Sequence, residues 1–327
     1  MKSQLLKIVF VQIILLSWIF YSCDAPRHNP LDPDNPDNNL VEISGKVKTI
    51  SSPFIPVNDV TVFWSDGNKL DQTDSNGDYQ IENIAPNDGW LYFSKSGYLT
   101  DSMYVEWDQQ KRQDLDIELN TSPQLDSLLI YSIIQNRYPN LQVLTLGVET
   151  VITDPDNDID TIYVENPDLN FKNFLLFDPN LHMYKRIFSM SDLGITDAEA
   201  VIGHEFKIID KDIYHHRIFL DKMSIKRIIK EQVNLISPGS NDVVSSQPTL
   251  NWEPFIPGYS LTYDIEIYNT DNLEAELKWR KQGVSQSTSE LKVDKTLSVS
   301  PNYFWVIWCV DEFNNRSRSR PKSFEVE

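Results

Sequence analysis

Four carboxylates recur at every second residue in Thr153-Asp154-Pro155-Asp156-Asn157-Asp158-Ile159-Asp160. Asp154, Asp156, Asp158 and Asp160 could therefore offer several oxygens to one hard cation such as calcium. Alternate residues of a strand share a face, so four like charges there repel one another unless water or a cation neutralises them. The loop has neither the glycine at the sharp turn nor the distal glutamate of a helix–loop–helix calcium loop. From the pattern alone, calcium binding and a plainly solvated acidic loop both stay open. A second cluster, Asp71, Asp74, Asn76 and Asp78, raises the same question. A β-turn needs those same polar residues, and a turn is the expected reading there.

Other chemistries find less material. Zinc needs convergent ligands. His215 and His216 are adjacent in an expected strand and so point to opposite faces, and His204-Glu205 has no second histidine one helical turn on; His182 and His28 stand apart. Cys309 faces inward in an expected strand, and residues 233–327 contain no histidine to activate it, so a buried, inert thiol is expected. Ser289-Glu290-Leu291-Lys292 fits the Ser-x-x-Lys pattern of penicillin-recognising enzymes, but the companion motifs are missing. There is no Gly-x-Ser-x-Gly elbow and no phosphate loop, and 11 glycines leave little material for either. No catalytic residue is assigned and the chain reads as a non-enzyme, with a hydrolase sited in residues 121–232 as the distant alternative. No cofactor is expected beyond the calcium ion already considered. Trp90, Trp107 and Trp279 lie outside clear alternating strands and are candidates for exposed platforms on which a carbohydrate stacks.

The elements that must carry these groups follow from composition and periodicity. The 327 residues hold 8 Trp, 14 Tyr and 15 Phe, too many large apolar groups for a disordered chain. The net charge of −19 repels phosphates, which excludes nucleic acid as a partner. Two cysteines exclude a disulfide-dense scaffold.

Residues 1–22 read as a secretion signal: Lys2 and Lys7 supply the positive start, and Ile8 to Phe20 is apolar apart from Gln12 and Ser17. Phe20-Tyr21-Ser22-Cys23 resembles the lipobox of bacterial lipoproteins, departing from it at Phe20 and Tyr21. The resemblance implies that Cys23 is acylated (palmitate among its lipids) and becomes the mature N-terminus, anchoring the protein in the bacterial cell envelope, with the outer membrane as the expected address. An ordinary cleaved signal followed by a free thiol is the alternative. Residues 23–40 alternate proline with Asp and Asn, which cannot form a core and favours an extended, solvated stalk. Asn29-Pro30-Leu31-Asp32-Pro33 resembles the tethers of surface lipoproteins in some Gram-negative groups.

Behind the stalk, period-two patterns predict an all-β chain of tandem β-sandwiches. In residues 41–120, Val41, Ile43, Val47, Val60, Val62 and Trp64 mark strand faces, and Asn76-Gly77 signals a hairpin turn. The order Ser44-Gly45-Lys46-Val47, Val57-Asn58-Asp59-Val60-Thr61-Val62, Thr73-Asp74-Ser75-Asn76-Gly77-Asp78-Tyr79, Phe93-Ser94-Lys95-Ser96-Gly97-Tyr98 resembles carboxypeptidase regulatory-like domains. That implies a transthyretin-like sandwich without zinc ligands or catalysis. In residues 121–232, strands are expected at Leu125 to Ile134, Gln142 to Thr153, Ile159 to Val164, Phe171 to Phe177, Tyr214 to Leu220 and Ser224 to Ile229, with one or two helical turns at Asp192 to Glu199. The arrangement resembles immunoglobulin-like domains. In residues 233–327, Leu250, Trp252 and Tyr263-Asp264-Ile265-Glu266-Ile267 alternate in and out, with the acids on the wet face. The long strand Tyr303 to Asp311 and the turn at Asn314, Asn315 and Ser317 resemble a fibronectin type III-like domain. That resemblance makes Trp252 and Tyr303 or Trp305 core residues. The expected function is a lipid-anchored spacer or binding and adhesion scaffold with envelope proteins or polysaccharide as partners. A carbohydrate- or polymer-binding surface lipoprotein is the alternative.

Overall fold

The computed structural model describes residues 39–240, 242–272 and 274–327. The signal segment 1–22, Cys23 and nearly all of the 23–40 stalk lie outside them. The chain divides into two compact units, Met1–Ser122 and Pro123–Glu327, and the described residues are built from β-sandwiches almost throughout.

The first unit runs β1 (Val41–Thr49), β2 (Thr61–Trp64), β3 (Lys69–Gln72), β4 (Asp78–Ile84), β5 (Gly89–Ser94), β6 (Asp101–Val105), β7 (Arg112–Asp114) and β8 (Ile117–Leu119). One sheet pairs β4, β7 and β8 with β1; the other has the order β3-β2-β5-β6. Ile43, Val47, Tyr79 and Ile81 of the first sheet meet Val62, Trp64, Leu91 and Phe93 of the second in a common core. Gly45 has no room for a side chain, because a Cβ there would stand 2.1 Å from the Leu115 carbonyl oxygen. The Asn76-Gly77 turn forms, with Gly77 at φ 78°, but it makes no hairpin. The flanking strands β3 and β4 belong to different sheets, so the turn carries the chain across the sandwich.

The second unit opens with β9 (Gln124–Arg137), β10 (Leu141–Thr153), β11 (Ile159–Asn166), β12 (Phe171–Phe174), β13 (Leu176–Asp178) and β14 (Met183–Ser189). A short 3-10 turn, Ala198–Val201, overlaps only the end of the Asp192 to Glu199 span where helical turns were expected, the rest of which is turns and bends. Then come β15 (Glu205–Asp212), β16 (Arg217–Ser224), β17 (Leu235–Ser237), β18 (Val243–Val244) and β19 (Thr249–Trp252). The chain ends with β20 (Leu261–Asn269), β21 (Glu276–Ser285), β22 (Glu290–Lys292), β23 (Ser300–Asp311), β24 (Arg316–Arg318) and β25 (Lys322–Val326).

A single ten-stranded sheet, whose main path is β13-β14-β10-β9-β24-β23-β20-β21, runs through the whole unit. Two smaller sheets complete it. The sheet β12-β11-β15-β16 closes a core with Leu146, Val148, Phe188, Ile162, Val164 and Phe206. The sheet β17-β19-β22 closes another with Trp252, Tyr263, Ile265, Trp305, Ile307 and Phe324. Near the 232/233 boundary drawn from sequence there are thus two cores, yet one sheet crosses between them. The crossing is a parallel pairing of Ile133–Gln135 in β9 with Arg316–Arg318 in β24. Asn315 pins it: its Oδ1 accepts from the Ser132 backbone N–H (2.9 Å) and hydroxyl (3.0 Å). The preceding Asn314 takes the left-handed conformation, φ 63°, that the turn requires.

One expectation about strand faces fails. Glu266 is buried rather than wet, because Trp308 Nε1 and the Tyr268 hydroxyl both donate to its Oε2 at 2.8 Å and Arg280 lies beside it.

Candidate functional site

The acidic loop between β10 and β11 is built by its first residue. Asp154 Oδ2 accepts from the backbone N–H of Asp158 (2.7 Å) and Ile159 (3.3 Å), and Asn157 adopts φ 56°. This closes the loop tightly and gathers Asp154, Asp156 and Asp158, each of which contributes one carboxylate oxygen to a set lying within 4.8 Å of one another. Asp160 does not join them, which corrects the expectation for that residue. The β11–β15 register slips between Ile159 and Thr161, and Asp160 is exposed, with Lys211 Nζ at 3.0 Å. That contact holds its carboxyl below the usual range.

A residue the sequence reading passed over lies beside the loop. Phe206, Ile208, Asp210 and Asp212 alternate on the buried face of β15. Asp210 is fully buried, and neither of its oxygens has a hydrogen-bond partner; Asp154 Oδ1 is likewise buried without one. Burial, followed by the negative charges of Asp154, Asp158, Asp212 and Asp156, pushes the Asp210 carboxyl up to about 7. Burial and the neighbouring Asp156 and Asp158 push Asp154 up to about 6. Tyr184 on β14 feels the same charges, its hydroxyl being raised by burial and then by Asp210 and Asp154. Asp212 is satisfied differently, accepting from the backbone N–H and Nδ1 of His216, both at 2.7 Å. The only signal that could have marked Asp210 in sequence is the Phe206-x-Ile208-x-Asp210 alternation, which puts a charge on an apolar face.

This arrangement suits a cation better than a reaction. A general acid or base has to reach its substrate, and Asp210 is closed off from solvent. His215 and His216 sit in the β15–β16 turn rather than in a strand, and His204 Nδ1 lies 3.4 Å from Asp168 Oδ2. Asp74 spends its carboxylate on the N–H groups of Asn76 and Asp78, at 2.8 and 2.9 Å, as a turn residue does. Cys309 is fully buried, and burial raises its thiol to about 12.

The candidate aromatic platforms separate into one exposed and two buried residues. Trp107 is 2% exposed, set edge-on against Trp64, with its Nε1 donating to the Asn87 carbonyl at 3.0 Å. Trp279 is 6% exposed, with its Nε1 donating to Asp294 at 2.7 Å. Both are core, and neither offers a stacking face.

Trp90 is 45% exposed and has company. In β5 the inward residues are Leu91 and Phe93, so Trp90 and Tyr92 point out. Cross-strand pairing sets Phe63 beside Tyr92 and Trp90 beside Tyr104. Ring centroids are 6.1 Å apart for Phe63–Tyr92, 6.3 Å for Trp90–Tyr92 and 5.4 Å for Trp90–Tyr104. Leu70, paired with Phe63, extends the face, giving an apolar strip across the outer surface of β3-β2-β5-β6.

No protein-family model matches this chain, and no curated protein does. Among solved structures, the FN1–FN3 domains of chicken CNTN1 are similar at 10% identity and a TM-score of 0.31, covering 82% of this chain and 90% of that one. The fibronectin(III)-like modules of Clostridium thermocellum CbhA are similar at 13% identity and TM-score 0.29, covering 63% and 93%. A bacterial ice-binding adhesin gives 10% identity and TM-score 0.22, covering 82% and 86%. Similarity at this level carries no functional argument.

Proposed function

We propose that this chain is a non-catalytic binding scaffold of the bacterial cell envelope, anchored at the outer membrane by a lipid on Cys23, and that it presents the aromatic face of its first unit to a polysaccharide. The observation that carries the reading is the row Phe63, Tyr92, Trp90 and Tyr104. Four rings from three neighbouring strands stand on one exposed sheet surface. An exposed ring offers an apolar face to a sugar's C–H surface and, in Tyr and Trp, a polar edge to its hydroxyls. A rigid sheet holds such rings in register and so lowers the ordering cost on binding. The motif order of residues 41–120 supports an accessory role in the manner of carboxypeptidase regulatory-like domains.

Affinity electrophoresis of the full chain against a panel of bacterial and plant polysaccharides tests the reading. At least one polymer should retard the protein, and Trp90→Ala should weaken that retardation by ~2 kcal/mol, on the order of thirty-fold in Kd. Trp107→Phe, a core change, should leave it intact. A panel with no retarded polymer, or a Trp90→Ala variant that binds as wild type, overturns the polysaccharide reading. The anchor is tested separately: Cys23→Ser should move the protein from the membrane to the soluble fraction, and unchanged membrane retention overturns lipidation.

A further inference from the structure

We propose that Asp154, Asp156, Asp158 and Asp210 hold one calcium ion, which ties the β10–β11 loop to the buried face of β15. The set differs from the one the loop spacing suggests, losing Asp160 and gaining Asp210 from more than fifty residues away in sequence.

Three independent features converge on it. The first is the loop, which brings three carboxylates within 4.8 Å of one another. Like charges so close repel one another unless something neutralises them. The second is Asp210. A carboxylate that is fully buried, with both oxygens lacking a hydrogen bond, is among the costliest arrangements in a folded protein, and it persists where the group is protonated or coordinates a metal. The third is the placement of the loop against β15. The Asp158 carbonyl accepts from the Ile213 N–H at 2.9 Å, one residue beyond the end of β15, the strand that carries Asp210 and Asp212. Directly after the loop, β11 pairs with β15, Ile159 standing opposite Asp212 and Ile162 opposite Asp210.

A proton answers these features poorly. It neutralises one carboxylate and leaves the others facing each other. Calcium accepts about six to eight oxygens, with carboxylates binding through one or both atoms in a flexible geometry. Asp210, outside the group that lies within 4.8 Å, brings two oxygens without hydrogen bonds from the neighbouring strand, and Asp154 Oδ1 has no hydrogen bond while its Oδ2 caps the loop. Magnesium demands a near-ideal octahedron and keeps several waters, which a fully buried Asp210 does not favour. Such an ion joins the strand leaving one sheet of this sandwich to the inward face of the other, and so ties the two layers at their edge.

The test uses the full chain stripped with a chelator, then titrated with calcium chloride, and reads bound calcium by elemental analysis and unfolding by scanning calorimetry. Wild type should bind one calcium per chain at this site and unfold at higher temperature in millimolar calcium. Asp160→Asn should keep both responses. Asp210→Asn should lose the calcium-dependent shift, and in chelator it should unfold above wild type, because a buried unpaired charge has been removed. A residue with a merely structural role would lower the unfolding temperature in both conditions. If Asp210→Asn fails to fold, Asp156→Asn carries the same test. The proposal is overturned if wild type shows no shift, if the shift survives Asp210→Asn or Asp156→Asn, if Asp160→Asn abolishes it, or if magnesium reproduces it at equal concentration.

Discussion

Asp160 and Asp210 exchange places relative to what spacing suggests, and the reason is local geometry. Alternation would aim Asp160 with its three neighbours, but the register slip between Ile159 and Thr161 turns it to Lys211. Asp210 is invisible to any short motif, since only folding brings β15 beside the loop. The acidic loop itself was legible because all its ligand candidates lie in one stretch. Its charges also fix a pH response. In the folded chain Asp210 and Asp154 titrate near 7 and 6 against an ordinary value of 3.8. Between about pH 4 and pH 7 the folded state therefore binds more protons than the unfolded one, and stability falls as pH rises through that window. The groups facing the pair are Asp156, Asp158, Asp212 and Tyr184, with His216 behind Asp212. Calcium-free protein should accordingly unfold at a higher temperature at pH 5 than at pH 7.5, and a rise in stability over that interval would contradict the raised carboxyls. Cys309 makes a separate residue-level prediction. With its thiol buried and raised to about 12, it should resist thiol reagents at pH 8 until the protein is denatured, and prompt labelling of the native chain would contradict its burial.

Among elements, the period-two signal found most strands and missed which sheet each joins. Phe171 to Phe177 reads as one strand but is two. β12 pairs with β11 and β13 with β14, while Leu175 between them is buried in the core, so the chain changes layer there. Ser224 to Ile229 carries a strand-like run, yet beyond β16 it makes only the bridge from Ile225 to Ile202. Trp107 and Trp279 illustrate the same limit. Neither sits in a clean alternation, and burial came from tertiary contacts with Trp64 and Asp294. The β9–β24 junction was equally hidden, because parallel pairing between distant segments leaves no local trace. Its energetics are concentrated in a few side chains. Asn315→Ala removes the acceptor for the Ser132 N–H and hydroxyl and a donor to Asp311, at 2.9, 3.0 and 3.2 Å. Leaving those buried groups unpaired should cost about 1–3 kcal/mol, measurable as a lowered midpoint of denaturant unfolding; a change under ~0.5 kcal/mol would show that the strands alone hold the junction.

For the whole molecule, two compact units with separate cores predict separable unfolding. Residues 123–327 should melt as one cooperative body in spite of their two cores, since the ten-stranded sheet leaves no unpaired edge between them. Calorimetry of the full chain should then resolve at most two transitions, only one of them moved by calcium; a third transition would mean that the two cores of the second unit come apart independently. The sandwich class was readable from alternation throughout, whereas the merging of the last two modules was not. That merging also has a mechanical side. Strands β9 and β24 run parallel, and β24 leads on into β25 along the same edge of β23. Tension applied between Pro123 and Glu327 would pull these neighbours lengthwise in opposite directions. The rungs that join them would bear the strain side by side instead of tearing one after another.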